Sequence, residues 1–218
     1  MKLKHNLLMT MFALCPFAMN ATDYYTAPDA TGDGSSADSP MALTTAIDKL
    51  VAGDNLYLLD GQYDLSTIKI NKSKTVNNII YIGAYKNSKP ILDFRKEAYG
   101  SHGIDLNADY VHIKGITVRY AGKQGFQNNG SYNIMELMNV YGNSDTGMQQ
   151  KGGKSNVILN CDSHDNFDYE KGGITAADFG GNADGFGDKQ YEASPGNTYV
   201  ECRSWNNADD GLDFYQRI

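Results

Sequence analysis

Four segments decide the fold: VHIKGITV (residues 111–118), IMELMNV (134–140), VILNCDS (157–163) and TYVECRS (198–204). Set beneath one another they form columns. Ile113, Met135, Ile158 and Tyr199 share the first, Ile116, Met138, Cys161 and Cys202 the second, and Val118, Val140, Ser163 and Ser204 the third, at steps of 22, 23 and 41 residues. No segment of ten or more residues between them carries a 3.6-residue period, so a helical hairpin repeat is excluded. Short β-prone runs divided by Gly, Asn and Asp at this spacing predict the coils of a parallel β-helix. Each coil carries about three short strands, and equivalent residues stack roughly 4.8 Å apart.

Working outward, residues 56–59 and 79–82 are two more apolar runs, 23 residues apart, which extends the period upstream. Asn143, Asn166 and Asn207 occupy one column just after a strand and predict an inward ladder of asparagines. The helical signal is LTTAIDKLV (43–51), with Leu43, Ala46, Ile47 and Leu50 on one face and Gly53-Asp54 as its stop. It is expected to cap the open end of the first coil, whose strand edges need covering. The expected fold class is therefore all-β, a right-handed parallel β-helix with an N-terminal capping helix. The repeat still runs at Ile218, so the C-terminal coils and cap are expected to be missing.

The 218 residues suit one domain, and 41% hydrophobic content excludes disorder. Twenty-three Gly and 15 Tyr against 5 Pro suit a turn-rich β protein. Nineteen basic against 26 acidic residues give a net charge of −7, which argues against nucleic acid as a partner. Lys2 and Lys4 precede an apolar run over 7–19, too short for a membrane span. Residues 1–21 read as a signal peptide, 22–40 as a lead-in and 41–218 as the β-helix domain. The protein is expected to be secreted, periplasmic or on the cell surface, and that setting permits Cys161 and Cys202 to be oxidised. Their shared core column favours two stacked thiols.

A further column holds Gly125, Gly147, Gly185 and Gly211, each followed by an apolar residue, at steps of 22, 38 and 26. The excess marks an insertion mostly between Asp168 and Gly185, with a few more residues between Gly187 and Asn197, and a long loop on one side of a solenoid is commonly functional. That loop ends in NADGFGDK (182–189), and the next coil carries NNADDGLD (206–213). Asp184 and Asp210 each precede a column glycine and should stack, with Asp209 and Asp213 flanking. One Asp-Gly pair is an ordinary turn former. Four carboxylates in one patch repel one another by several kcal/mol at ~4 Å unless a cation joins them. Calcium, with six to eight oxygen ligands, suits this set, whereas zinc does not, since His is scarce and the cysteines lie in a core column. Asp145 and Asp168 share the column of Asp209 and are weaker ligand candidates. His164, aligned with Tyr141 and Trp205, reads as a groove or surface residue, and Lys151 and Lys154 as solvated turn residues.

NCDSHDN (160–166), NADGFGDK and CRSWNNADDGLD (202–213), with LTTAIDKLVAGDNLYLLDGQY (43–63), resemble polysaccharide lyase family 9, which includes pectate lyases and rhamnogalacturonan lyases. The resemblance runs from about residue 41 to the end. It implies that Asp184, Asp209, Asp210 and Asp213 bind Ca2+, and that an acidic plant-cell-wall polysaccharide is the partner. Its reaction is β-elimination on a uronate, with a lysine as base. That lysine falls some three dozen residues beyond the aspartates in the family, so no catalytic residue is assigned in this sequence. Lys189 is a weak stand-in, and Lys189 and Arg203 are expected to contact substrate carboxylates. The resemblance also implies a monomer when the stack is complete, and an aggregation-prone chain with little activity when it is truncated. The rival reading is a noncatalytic, calcium-stabilised β-helix that binds acidic glycans or serves as a scaffold.

Overall fold

A computed structural model describes residues 21–71, 76, 78–168, 180–189 and 196–214. Residues 1–20 of the expected signal segment lie outside these, as do 169–179, which hold most of the expected insertion, and the last four residues. Three parallel sheets run the length of the molecule. The first stacks Asp23–Thr26, Asn55–Leu58, Ile80–Ala84, Val111–Lys114, Ile134–Glu136, Val157–Leu159 and Thr198–Val200. The second stacks Gly61–Asp64, Pro90–Asp93, Thr117–Arg119, Asn139–Tyr141, Asp162–His164 and Arg203–Trp205. The third stacks Ile68–Ile70, Ile104–Leu106, Phe126–Asn128, Met148–Gln150, Phe186–Asp188 and Leu212–Asp213. Each coil visits the three in turn.

The predicted columns are the observed registers. Ile113 pairs with Met135, Met135 with Ile158, and Ile158 with Tyr199. Val118, Val140, Ser163 and Ser204 follow one another in the second sheet, and Phe126, Met148, Phe186 and Leu212 in the third. Upstream the expected period of 23 does not hold. Leu56 pairs with Ile82, and Ile82 with Ile113, steps of 26 and 31. Strand registers stay fixed while the loops between them change length, so an apolar run can be right and its spacing wrong.

The corner between the first and second sheets repeats as well. Gly115, Leu137, Asn160 and Glu201 all have positive φ, from 50° to 71°. A left-handed residue turns the chain sharply there, and for Leu137 and Glu201 the flanking ladders must hold a conformation that side chains disfavour.

The helix spans Leu43–Lys49 and buries Leu43, Ala46 and Ile47. It ends before residue 51 because Leu50 is already extended, with ψ at 133°. Buried Asp54 then takes the backbone N–H groups of Val51 and Thr22 at 2.8 and 2.9 Å. Residues 22–40 are more than a lead-in, since Asp23–Thr26 pairs with Asn55–Leu58 and starts the first sheet. The helix side chains join the same core as Ile70 and Ile80.

The asparagine ladder is present. Asn143 Nδ2 donates to Asn166 Oδ1 at 2.9 Å, and Asn166 Nδ2 to Asn207 Oδ1 at 2.8 Å. Their backbone N–H groups donate to the same oxygens. Gly125, Gly147 and Gly185 each pack against a ladder asparagine, Asn143, Asn166 and Asn207 in turn. A Cβ at Gly185 would collide with Ser204 Oγ and sit 2.7 Å from Asn207 Nδ2, and one at Gly147 would sit 2.6 Å from Asn166 Nδ2. These glycines are needed for close approach, with ordinary φ, and not for a turn. Cys161 and Cys202 are free thiols. Contact with Cys202 and burial push the Cys161 thiol far up.

Candidate functional site

The loops that lead from the second sheet to the third lie one above another, and two of them carry the acidic residues. Asn166 and Asn207 fix the starts of these loops, and Gly185 and Gly211 return the chain into the third sheet beside the ladder. Asp184, Asp209 and Asp210 are brought together so that one oxygen of each lies within 4.8 Å of the others. Asp184 is 2% exposed and the other two are exposed.

The surroundings of Asp184 are asymmetric. Its Oδ2 accepts from Thr146 Oγ1 at 3.0 Å and from Lys189 Nζ at 3.3 Å. Its Oδ1 is buried with no hydrogen-bond partner among the described residues. A buried carboxylate oxygen left unsatisfied costs a sizeable part of its hydration, so this atom suits a ligand that the protein alone does not supply. Burial raises the pKa of Asp184, and Lys189 and Thr146 only partly offset this.

Lys189, expected to contact substrate carboxylates, is paired with the aspartates of the patch itself. Its ammonium bridges Asp184 and Asp213, the latter in direct contact. Burial favours the neutral amine, but Asp213 and Asp184 outweigh it and raise the Lys189 pKa. Asp213 is thus held by Lys189 and stands outside the group of three oxygens. Alternation explains this: Asp213 pairs in register with Gly187, two residues before Lys189, and so shares a face of the third sheet with it.

A cavity of about 600 Å³ opens over this cluster, lined by Lys123, Gln124, Asp145, Thr146, Gln149, Lys151, Asn182, Asp184, Lys189, Asp209 and Asp213 among others. Asp145 takes the Thr146 N–H at 2.6 Å, and burial raises its pKa. Asp168 is fully buried and accepts from Tyr99 Oη and Asn182 Nδ2, both at 3.1 Å. It supports the loop from below and does not line the cavity. Lys151, expected to be a solvated turn residue, is a wall of the site. Lys123, Gln124 and Gln149 had no signal beyond their place in the repeat. Arg203 lies elsewhere, on the second sheet, where it forms a bidentate pair with Asp162 at 2.6 and 2.7 Å. His164 is stacked between Tyr141 and Trp205, with ring centroids 5.0 and 4.1 Å away, as a surface ladder residue.

Residues 24–218 match the model of the Pel9A-like right-handed β-helix region. The chain belongs to that family. It is 34% identical over 206 residues to pectate lyase L of Dickeya dadantii (strain 3937), covering 88% of this chain and 47% of that protein. Pectate lyase L of Paenibacillus polymyxa (strain SC2) is 35% identical over 213 residues. The crystal structure of pectate lyase Pel9A superposes with a TM-score of 0.79 at 33% identity, over 90% of this chain and 51% of that one. A rhamnogalacturonan lyase superposes at 0.74 and 25% identity, over 88% and 53%. This Pel9A-like chain thus spans about half the length of the relatives it matches. Among its described residues, no helix is long and apolar enough to cross a membrane.

Proposed function

We propose that this Pel9A-like chain binds calcium at Asp184, Asp209 and Asp210, joined by Asp213, and acts in calcium-dependent β-elimination on acidic pectic polysaccharide after export directed by residues 1–21. The observation that carries the reading is Asp184: a buried carboxylate with one oxygen unsatisfied, facing two further carboxylates in a cavity walled by lysines. The donor set is all oxygen and includes no His or Cys, which suits a hard cation. Calcium, when bound, neutralises the aspartates and draws charge from a uronate carboxylate, which acidifies the proton at C5.

The chain's own residues do the rest of the binding. Thr146 holds Asp184 in place through Oγ1. Lys123, Lys151 and Lys189 offer cations to carboxylates of the polymer within the cavity. Elimination removes the C5 proton and places its electron pair in a C4=C5 double bond as the C4–O bond breaks. Lys189 is a poor acceptor for that proton, because Asp213 and Asp184 keep it charged at neutral pH. The family resemblance assigns this step to a lysine some three dozen residues beyond the aspartates.

Calorimetric titration with calcium tests the first half of the proposal. One site is expected, abolished by Asp184→Asn and weakened strongly by Asp210→Ala. The second half is tested by ultraviolet absorbance of unsaturated uronide on polygalacturonate and rhamnogalacturonan with calcium. Binding of calcium and glycan by the whole protein without that product would favour the noncatalytic binding module.

A further inference from the structure

A second cavity, of about 360 Å³, adjoins the acidic one. Gly122 and Ser144 line the second cavity, while Lys123 and Asp145, the next residues in the chain, line the first. The two form one trough over the loops that join the second sheet to the third. From the loop bearing Arg95 to the loop bearing Asp209 the trough crosses four coil steps, roughly 19 Å at the ~4.8 Å spacing of parallel strands.

The chemistry of its far end is unlike that of the acidic end. Asp93, whose side chain is closed to solvent, accepts from Arg95 Nε and Nη2 at 2.9 and 2.8 Å and from Arg119 Nε at 2.8 Å. Two guanidiniums therefore share one carboxylate. Arg119 spends its other donors on Tyr141 Oη and Gln62 Oε1. Arg95 does not: its side chain is 54% exposed, and its Nη1 donates to nothing among the described residues. The Arg95 and Arg119 guanidiniums lie over the Tyr120 ring, 4.7 and 5.2 Å from its centroid. That ring has room because residue 142 is glycine, where a Cβ would come within 2.6 Å of it. Tyr120 and Tyr99 both stay exposed and line the cavity.

We infer that this second cavity is a distal sugar subsite for a uronate, in which the carboxylate takes Arg95 Nη1 while Tyr120 positions that guanidinium and walls the cavity beside the pyranose ring. A guanidinium held over an aromatic ring and by a buried carboxylate, with donors to spare, binds the anionic edge of a sugar lodged in the cavity. Glu97, the acid of this cavity, accepts sugar hydroxyls and repels a second carboxylate, which directs the anion to Arg95. The glycan then runs along the trough with another uronate at the acidic cavity. The inference rests on the proposed reading of that cavity.

The test is calorimetry on the full chain with calcium chloride, using digalacturonate and a longer oligogalacturonate as probes. The wild type is expected to bind the longer probe more tightly. Arg95→Gln and Tyr120→Ala should each weaken the longer probe about tenfold, the size of one charge-assisted contact, and leave digalacturonate and calcium affinities unchanged. Arg95→Lys keeps the charge without the fork and should restore only part of the loss. Equal affinity of the wild type for both probes, or wild-type affinity for the longer probe in both variants, overturns the subsite and leaves the acidic-cavity reading intact. Failure of the wild type to bind either probe overturns both.

Discussion

The first coils and the last are built on the same frame with different interiors. In the third sheet one inward column stays apolar through Ile68, Ile104, Phe126, Met148 and Phe186, while the other reads Ile70, Leu106, Asn128, Gln150 and Asp188 from one end to the other. In the second it reads Tyr63, Leu92, Val118, Val140, Ser163 and Ser204. The early coils are held by apolar burial, worth about 1.5 to 3 kcal/mol for each large side chain. The later coils replace part of that with hydrogen bonds along the stack, such as Asn128 Nδ2 to Gln150 Oε1 at 2.8 Å and Ser163 Oγ to the Gly185 carbonyl at 2.6 Å. The coils that present the acidic cluster are therefore specified by polar partners, each of modest net value but costly to orphan.

The largest expected effect breaks the apolar end. Phe94 is fully buried, and Phe94→Ala should cost about 3 to 5 kcal/mol in chemical denaturation through lost burial and the cavity left behind. Next comes the polar end. Asn166 is bonded to Asn143 on one side and to Asn207 on the other. Asn166→Leu should cost about 1 to 3 kcal/mol, because it strands buried groups on both neighbours. Stability unchanged within error would mean that the ladder is not what holds these coils.

A smaller effect separates the halves by pH. Burial alone would raise Asp93, but Arg95 and Arg119 outweigh it and hold its pKa below the ordinary 3.8. The stability from ionised Asp93 is then present above 3.8 and is lost as pH falls through its lower folded value. Asp184 has the opposite sign, since its folded pKa is raised by burial above the ordinary 3.8. Its ionisation disfavours the calcium-free fold at neutral pH, and that cost disappears as pH falls through the raised value and below 3.8. With a chelator present at pH 7, Asp184→Asn should therefore unfold at higher denaturant than the wild type, and Asp93→Asn at lower. The gap between Asp184→Asn and wild type should close first on acidification. The smallest effect is expected on the exposed second-sheet face: Arg203→Ala should leave both the denaturation midpoint and glycan binding within error, since an exposed ion pair is screened by water and lies outside the cavity.

Much of the fold was legible because parallel in-register stacking demands similar residues at each period. Ile113, Met135, Ile158 and Tyr199 could be aligned by eye for that reason, and so could the column glycines and Asn143, Asn166 and Asn207. A second ladder carries the same signal. Asn133, Asn156 and Asn197 repeat at steps of 23 and 41, with Asn156 Nδ2 donating to Asn197 Oδ1 at 3.0 Å. The earliest coils were misregistered because loops of variable length separate their strands. Lys151 is exposed, as expected, but nothing within one coil signals that it lines a cavity shared with a neighbouring coil's aspartates.

The sequence by itself determined the solenoid, the capping helix and the gathering of Asp184, Asp209 and Asp210, since each follows from a period and a side-chain type. Only the tertiary structure decided that Lys189 bridges Asp184 and Asp213, that one oxygen of Asp184 is left without a partner, and that Arg203 points away while Lys123 and Lys151 wall the site. Periodicity fixes which residues stack along the axis. Burial and charge pairing depend on which loops meet around it, and that is set by packing in three dimensions.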